Sequence, residues 1–161
     1  MAATGEFHSA AVGEDGSLFV WGCGAHGRLG TGDTTRRFAP TRVAGLPAPV
    51  RQVAAGRFHT GIVTDAGDLL MCGRGVYGQL EVGDEDNRTT PMVVARALLD
   101  GEAVLMVACG GAHMVALTEG GGVCTFEYGD HGDAEDQLAP MRLAAAGFDG
   151  ERVVMVAAGD A

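Results

Sequence analysis

The sequence predicts an all-β protein built from β-propeller blades of four antiparallel strands, with about three blades forming an incomplete, open arc. Three observations predict this fold: a unit recurs about every 50 residues, each unit contains short apolar runs of strand length, and glycine-rich turns separate the runs. Glycine accounts for 27 of the 161 residues, well above the average of roughly 7%. We therefore expect frequent turns in a single partial domain covering residues 1–161.

Each unit begins with a glycine that a histidine follows three positions later. The pairs are Gly5 with His8, Gly56 with His59, and Gly110 with His113. This spacing predicts repeats at residues 2–53, 54–107 and 108–156, with the start of a fourth at 157–161.

The first unit contains four candidate strands. One follows His8, a second covers Ser17–Gly22, and two more lie near Pro40–Val43 and Val50–Val53. Matching runs occur in the other two units, the last of them near Val153–Val156. The units differ in length only between these runs, as expected if the differences fall in loops.

One aligned position carries an apolar side chain in every unit. Trp21 is the fifth residue of the second run in the first unit, and Cys72 and Phe126 occupy the matching places in the second and third units. We expect the side chain at this position to fill a core.

Gly22, Gly24 and Gly27 spell G-x-G-x-x-G, the pattern of a dinucleotide-binding turn. Such a turn requires a helix directly after it, whose N-terminal amides face the pyrophosphate. The residues after Gly27 are rich in Gly, Asp and Thr and end at Pro40, which is a loop composition. The second unit repeats the pattern at Gly73, Gly75 and Gly78. We interpret it as a turn of the repeat, and a nucleotide-binding enzyme remains only a third hypothesis.

Charge and composition restrict the function. The 11 basic and 21 acidic residues give a formal net charge of -10, and no run of Lys or Arg offsets it. We therefore expect no direct contact with nucleic acid and none with a membrane surface. No apolar run approaches a membrane span, and the four cysteines form no C-x-x-C pair. These features favour a cytoplasmic or nuclear chain with reduced thiols.

The sequence predicts no catalytic residue, no cofactor and no metal ion. His8, His59 and His113 sit one blade apart, so we interpret them as structural side chains that donate to neighbouring backbone carbonyls. No nucleophile elbow accompanies Ser9, and no cysteine-enzyme motif accompanies Cys109 or Cys124.

The units follow a longer pattern, A-x-G-x-x-H-[ST], then D-G, then W-G-x-G-x-x-G-x-L-G-x-G-D and a proline. With this pattern the chain resembles the repeats of the regulator of chromosome condensation family over essentially its whole length. The third unit is degenerate, with Phe126 and Glu127 where Trp-Gly is expected. The motif residues shared across the units are Gly5, His8, Gly16, Trp21, Gly22, Gly27, Gly56, His59, Gly67, Gly73, Gly78, Gly110 and His113.

The resemblance implies a seven-bladed propeller and several alternative roles. Family members serve as exchange factors for a Ran-type GTPase, as arms of very large ubiquitin ligases, or as a plant ultraviolet-B photoreceptor. The photoreceptor uses clustered tryptophans, several directly after the Gly of G-x-x-H. Here those positions are Glu6, Arg57 and Gly111, and Trp21 is the single tryptophan. Ultraviolet sensing by that mechanism is therefore excluded.

Two functional hypotheses remain. The first is a non-catalytic scaffold that presents its loops to a protein partner. The alternative is guanine-nucleotide exchange on a small Ran-type GTPase. Arginine and tyrosine are favoured at interfaces, so the candidate partner-binding residues are Arg28, Arg36, Arg37, Arg74, Tyr77 and Arg88.

Three units are fewer than the roughly four to eight blades of a closed propeller. Because the sequence stops just after Gly159 and Asp160 begin a fourth unit, we expect a piece of a longer chain. The alternative is a short form that closes by self-association through its open propeller ends.

Overall fold

A computed structural model describes residues 1–75, 80, 86–126, 140–143 and 145–159. These residues form three four-stranded antiparallel sheets, in the orders β1-β2-β3-β4, β5-β6-β7-β8 and β9-β10-β11-β12. The strands are β1 (Ala2–Thr4), β2 (His8–Val12), β3 (Leu18–Gly22), β4 (Arg37–Arg42), β5 (Val50–Ala55), β6 (His59–Thr64), β7 (Leu69–Gly73), β8 (Arg88–Val93), β9 (Val104–Cys109), β10 (Met114–Thr118), β11 (Val123–Phe126) and β12 (Met141–Leu143). The predicted all-β fold of four-stranded blades is confirmed.

Helical structure in the described residues is limited to three 3-10 turns. They are Ala25–Gly27, Arg96–Leu99 and Ala145–Phe148. None of these described helices is long or apolar enough to cross a membrane.

The second and third sheets are out of phase with the predicted repeats by one strand. β5 lies at the end of the repeat 2–53, yet it pairs with β6 and begins the second sheet. β9 likewise pairs with β10 and begins the third sheet. Both sheets therefore take their first strand from the end of the preceding repeat, so neighbouring repeats are joined by strand pairing. The first sheet begins with β1, which lies within the repeat 2–53.

The sheets pack face to face, with one apolar core at each junction. The second sheet contributes to both cores, because side chains alternate between the two faces of a strand. Ile62 and Leu70 pack against the first sheet, whereas Val63 and Leu69 pack against the third. Every residue of β6 and β7 is consequently buried, which explains their nearly continuous apolar runs.

Trp21 departs from the expectation that its position fills a core. Its counterparts Cys72 and Phe126 are buried, but Trp21 is only half-buried. Cys72 faces the first sheet, where its thiol lies 3.6 Å from the carbonyl oxygen of Arg28. Phe126 belongs to the core between the second and third sheets. The position therefore points toward the preceding sheet, and no described sheet precedes Trp21.

The glycine at the start of each unit lets the backbone of the following unit approach closely. A Cβ at Gly5 would overlap the carbonyl oxygen of Gly56, one at Gly56 that of Gly110, and one at Gly110 that of Gly159. The rings of His59 and His113 lie against the glycine of their own unit. The G-x-x-H motif thus marks a close backbone contact between successive units.

The G-x-G-x-x-G pattern also reflects close backbone contacts. A Cβ at Gly24 would overlap the carbonyl of Thr35, and one at Gly27, where φ is +84°, would overlap that of Arg88 in the next sheet. Gly22, with φ +109°, lies against the backbone of His8. A loop leads from Gly27 to β4 with no α-helix, which is the turn that the sequence predicted. Gly78 lies outside the described residues.

The side chain of Gln52 joins the second sheet to the third. Its amide nitrogen donates to the Val107 carbonyl at 2.8 Å, and the Val107 N–H donates to its amide oxygen at 2.7 Å. Arg51 adds a hydrogen bond to the carbonyl of Val104 at 2.6 Å. These contacts provide hydrogen-bond partners for backbone groups of β9 on the edge that faces away from β10.

Buried histidines occupy the same junctions. His8 Nε2 lies 2.7 Å from Thr60 Oγ1, and burial, aided by Arg28 and His59, lowers the pKa of His8 to about 4. Burial also lowers the pKa of His59 to about 4. Both imidazoles are therefore neutral in the folded protein at pH 7.

The candidate strand near Val153–Val156 is not formed. Residues 151–159 have no regular secondary structure, although Arg152 donates to the carbonyl of Glu119 at 2.9 Å. Val154 and Met155 are exposed. A strand requires a paired neighbour, and none of the described strands pairs with this segment.

The Gln52→Ala variant should lower the free energy of unfolding by about 1–3 kcal/mol, because it leaves the buried N–H and carbonyl of Val107 without these partners. Urea denaturation followed by circular dichroism measures the change. Gln52→Glu should also destabilise the protein, since a carboxylate cannot donate to the Val107 carbonyl. Arg42→Gln, on the exposed side of β4, is the control and should stay within about 0.5 kcal/mol of wild type. Wild-type stability of Gln52→Ala would contradict the role assigned to this side chain.

The two histidine shifts predict a pH dependence of folding stability. Above the unfolded pKa of 6.5, both histidines are neutral in both states and their contribution to stability is fully present. Between pH 6.5 and about 4 only the unfolded chain gains protons, so each histidine should reduce stability by about 1.4 kcal/mol per pH unit. Urea titrations across this range should show a shallower slope for His8→Gln, because one of the two contributions is gone. Parallel curves for His8→Gln and wild type would contradict this assignment.

Candidate functional site

The turns that follow β1 and β5 lie at the same end of their sheets as the residues that follow β3 and β7. The strand registers require this, since His8 pairs with Gly22 and His59 pairs with Gly73. Aromatic and cationic side chains meet at this end, where the first and second sheets join. We call this group the Phe58 cluster; it consists of Phe7, His26, Arg28, Arg57, Phe58 and Arg74.

The Phe58 ring is the centre of the cluster. The guanidinium carbon of Arg57 lies 5.0 Å from the ring centroid, and those of Arg28 and Arg74 each lie 5.3 Å from it. Each distance falls within the range of a cation–π interaction, worth about 0.5–2 kcal/mol depending on exposure. One ring therefore holds three positive charges close together, in a chain whose net charge is -10.

Arg28 is a structural member of this cluster, which corrects its assignment as a partner-binding residue. It is only 2% exposed, so it offers almost no surface to a partner. Its Nε donates to the carbonyl of Ala25 at 2.9 Å and its Nη1 to that of Arg57 at 2.7 Å. Its guanidinium carbon also lies 5.7 Å from the ring of Phe7. Arg28 thus connects the first unit to the turn that carries Arg57 and Phe58.

A buried hydrogen-bond chain fixes the backbone of Arg28. The Thr60 hydroxyl donates to the Arg28 carbonyl at 2.6 Å. Because that proton is used, Thr60 Oγ1 accepts from His8 Nε2. The other ring nitrogen of His8 is buried without a described partner, as suits a neutral imidazole. His8 therefore donates to a side-chain hydroxyl, and through it supports a backbone carbonyl of the cluster.

Arg57 is the member of the cluster that pairs with a carboxylate from the first unit. Its Nε lies 2.7 Å from Glu6 Oε2, and 43% of the Arg57 side chain is exposed. An exposed ion pair of this kind adds at most about 1 kcal/mol to stability. The Arg57 guanidinium is thus accessible and already holds a carboxylate.

His26 contributes the edge of its ring. The ring meets Phe58 at a centroid distance of 5.9 Å and an interplanar angle of 88°. Its backbone has φ +62°, the left-handed region, which is unfavourable for a residue with a Cβ. Burial lowers the pKa of His26, and the charges of Arg28 and Arg74 add to this shift. The imidazole therefore adds an aromatic edge without further positive charge.

The remaining predicted partner-binding residues lie outside these ring contacts or outside the described residues. Arg36 lies 5.7 Å from the centroid of Phe38 on β4. Arg37 pairs with Asp33 at 2.8 Å and stabilises its own loop. Arg88 begins β8 and lies 3.9 Å from Asp86. Tyr77 lies outside the described residues.

Arg28 and Arg74 were predicted from the sequence as site residues, whereas Phe7, Phe58, Arg57 and His26 were not. The repeat pattern could have indicated the two phenylalanines. Phe7 and Phe58 each stand directly before the histidine of their unit, as Gly-Glu-Phe-His and Gly-Arg-Phe-His. The meeting of Arg28 with Phe58 has no such signal, because it depends on how two sheets pack.

The thiols of Cys72 and Cys109 at these junctions are protonated at neutral pH. Burial raises the pKa of Cys72 to about 12 and that of Cys109 to about 12, so neither is a thiolate at neutral pH. All four cysteines are free. Within the part of the chain that the structure describes, no group of His, Cys, Asp and Glu side chains could hold a metal ion.

Comparison with known proteins identifies the repeat. Residues 15–63 and 66–117 match the family model of the regulator of chromosome condensation (RCC1) repeat, and a second model of this repeat matches residues 50–79. The chain is 48% identical over 85 residues to the X-linked retinitis pigmentosa GTPase regulator homolog of Caenorhabditis elegans, covering 52% of this chain and 6% of that protein. It is 38% identical over 132 residues to the human E3 ubiquitin-protein ligase HERC2, covering 80% of this chain and 3% of that protein.

Solved structures show the same fold. Human WBSCR16 matches with a TM-score of 0.84 and 24% identity, over 99% of this chain and 42% of its own. Prp20p of Saccharomyces cerevisiae matches with a TM-score of 0.83 and 22% identity, over 99% and 41%. The chain therefore spans less than half the length of each of these relatives. With matched repeats over most of its residues and three four-stranded sheets in the same arrangement, this chain belongs to the RCC1 repeat family.

Proposed function

We propose that this chain is a non-catalytic protein-interaction scaffold that uses the Phe58 cluster to bind a protein partner. The observation that carries this proposal is the cluster itself, a group of arginine and aromatic side chains at the junction of two sheets in which Phe7 and Arg57 are exposed. Arginine and aromatic residues are the side chains most enriched at the energetic centres of protein interfaces. The proposed location is the cytoplasm or the nucleus, which the absence of a C-x-x-C pair or a dense disulfide pattern in the sequence supports.

Preorganisation supports the same proposal. Arg28 is held by two backbone carbonyls, and the Thr60 hydroxyl holds its own carbonyl. Phe58 is in turn held between Arg28 and the other cluster side chains. A surface whose side chains are already ordered loses less conformational entropy on binding. The cluster therefore has the rigidity that a binding site requires.

The accessible part of the cluster is sufficient for contact. Phe7 is 46% exposed, and 43% of the Arg57 side chain is exposed. Arg28 contacts the Phe7 ring and the backbone carbonyl of Arg57, so a partner can bury apolar surface on Phe7 and form hydrogen bonds with Arg57 in the same cluster. This combination is typical of the centre of an interface rather than its rim.

Site-specific photo-cross-linking tests this proposal. Phe7 is replaced by the cross-linking analogue p-benzoylphenylalanine, which retains an aromatic ring in the cluster. The matched control places the same analogue at Phe38, which is 91% exposed on β4 and outside the cluster. After irradiation in cells, we expect a defined protein to be captured from Phe7 and not from Phe38.

Two results would contradict the proposal. Equal capture from Phe7 and Phe38 would mean that the cluster is not selective. Capture from Phe7 of only a second copy of this chain would mean that the surface serves self-association. If the captured protein is a small GTPase, a nucleotide-release assay at substoichiometric amounts of this chain decides between simple binding and nucleotide exchange.

A further inference from the structure

We infer that the Phe58 cluster binds an acidic segment of its partner, in which a carboxylate side chain stands next to an aromatic or aliphatic one. This inference rests on the proposed function and specifies the chemistry of the partner. The carboxylate is recognised by Arg57 and the apolar side chain by Phe7. Arg28 and Phe58 position these two residues.

The positive charge around the Phe58 ring favours an acidic partner. Three guanidinium groups lie within 5.3 Å of the Phe58 centroid, and like charges at such short range repel one another. A carboxylate placed beside them offsets this repulsion. The rest of the chain is acidic overall, but at physiological salt a charge is largely screened beyond about 8 Å. A short acidic segment therefore interacts chiefly with the cluster.

The short screening length also distinguishes a peptide from a nucleic acid as the partner. A single carboxylate contacts only the cluster, whereas a nucleic acid carries a phosphate at every nucleotide. A strand that follows the surface beyond the cluster meets a chain with 21 acidic and 11 basic residues, which repels its phosphates. The charge distribution thus favours an acidic protein segment.

The Phe58 cluster already binds one carboxylate, that of Glu6. Glu6 Oε2 contacts Arg57 Nε at 2.7 Å, so the guanidinium is oriented to receive this group. The Arg57 side chain is 43% exposed, so a carboxylate of the partner can reach its guanidinium and take the place of Glu6. Glu6 therefore competes with an acidic partner for Arg57.

The exposed Phe7 supplies apolar surface at the same cluster. Phe7 directly follows Glu6 in sequence, and the buried Arg28 contacts the rings of both Phe7 and Phe58. A free carboxylate would leave this apolar surface in water. A segment that pairs an acid with an apolar residue covers it, and burial of apolar area favours binding by about 25 cal/mol per Å².

Fluorescence anisotropy with the full chain tests the inference. The probe is a labelled dodecapeptide of repeated Glu-Trp pairs, and the matched control replaces every Glu with Gln. A labelled single-stranded DNA dodecamer tests the nucleic-acid alternative. We expect the Glu-Trp peptide to bind at least about ten-fold more tightly than the Gln-Trp peptide, and to weaken as salt rises.

Two surface variants should change this affinity in opposite directions. Arg57→Gln should weaken binding of the Glu-Trp peptide by about two- to five-fold, the range expected for one exposed ion pair. Glu6→Gln should strengthen it by a similar factor, because the competing carboxylate is removed. Arg42→Gln and Phe38→Ala, both exposed and outside the cluster, should leave it unchanged. Thermal melts of each variant verify folding, and a purely structural role would not produce opposite signs.

Equal binding of the two peptides, tighter binding of the DNA, or weaker binding by Glu6→Gln would overturn the inference. The cross-linked product from Phe7 separates its failure from failure of the proposed function. A protein captured there through a neutral or basic segment would leave the scaffold role intact and refute the acidic partner. Absence of selective capture at Phe7 would refute both.

Discussion

The backbone contact between adjacent sheets is the constraint on which the rest of this structure depends. At Gly5, Gly56 and Gly110 the space that a side chain would occupy is filled by the carbonyl of the corresponding glycine that follows, Gly56, Gly110 and Gly159. This contact brings the first strands of the sheets together and places the following histidines at the junction. The apolar cores, the buried hydrogen bonds and the Phe58 cluster all lie where it brings two sheets together.

None of the three described sheets encloses an apolar core by itself, because each core lies between two sheets. The second sheet is buried on both faces because it has a neighbour on each side. The position of Trp21 is buried at Cys72 and Phe126, where a preceding sheet covers it, and only half-buried at Trp21 itself. Stability in such an array comes from interfaces between neighbours as much as from each unit.

The Phe58 cluster follows from the same packing. Its residues come from the turns of two different units, and Arg28 joins them by donating to the carbonyl of Arg57. The hydrogen bonds from His8 to Thr60 and from Thr60 to the Arg28 carbonyl link a repeat residue of the first unit to this surface. A residue of the repeat motif therefore supports the geometry of the Phe58 cluster.

The sequence by itself determined the fold class, the repeat and most of the strands, because glycine turns and apolar runs report local backbone requirements directly. It predicted the turns at Gly22 and Gly27 for the same reason, whereas the expected strand near Val153–Val156 did not form. An apolar run does not specify which neighbouring strand it pairs with, so the sequence could not show that β5 belongs to the second sheet. It also could not show that Arg28 is buried or that Phe58 gathers three arginines. Only the tertiary structure decided these features, because they depend on how strands pair and on how the first and second sheets pack.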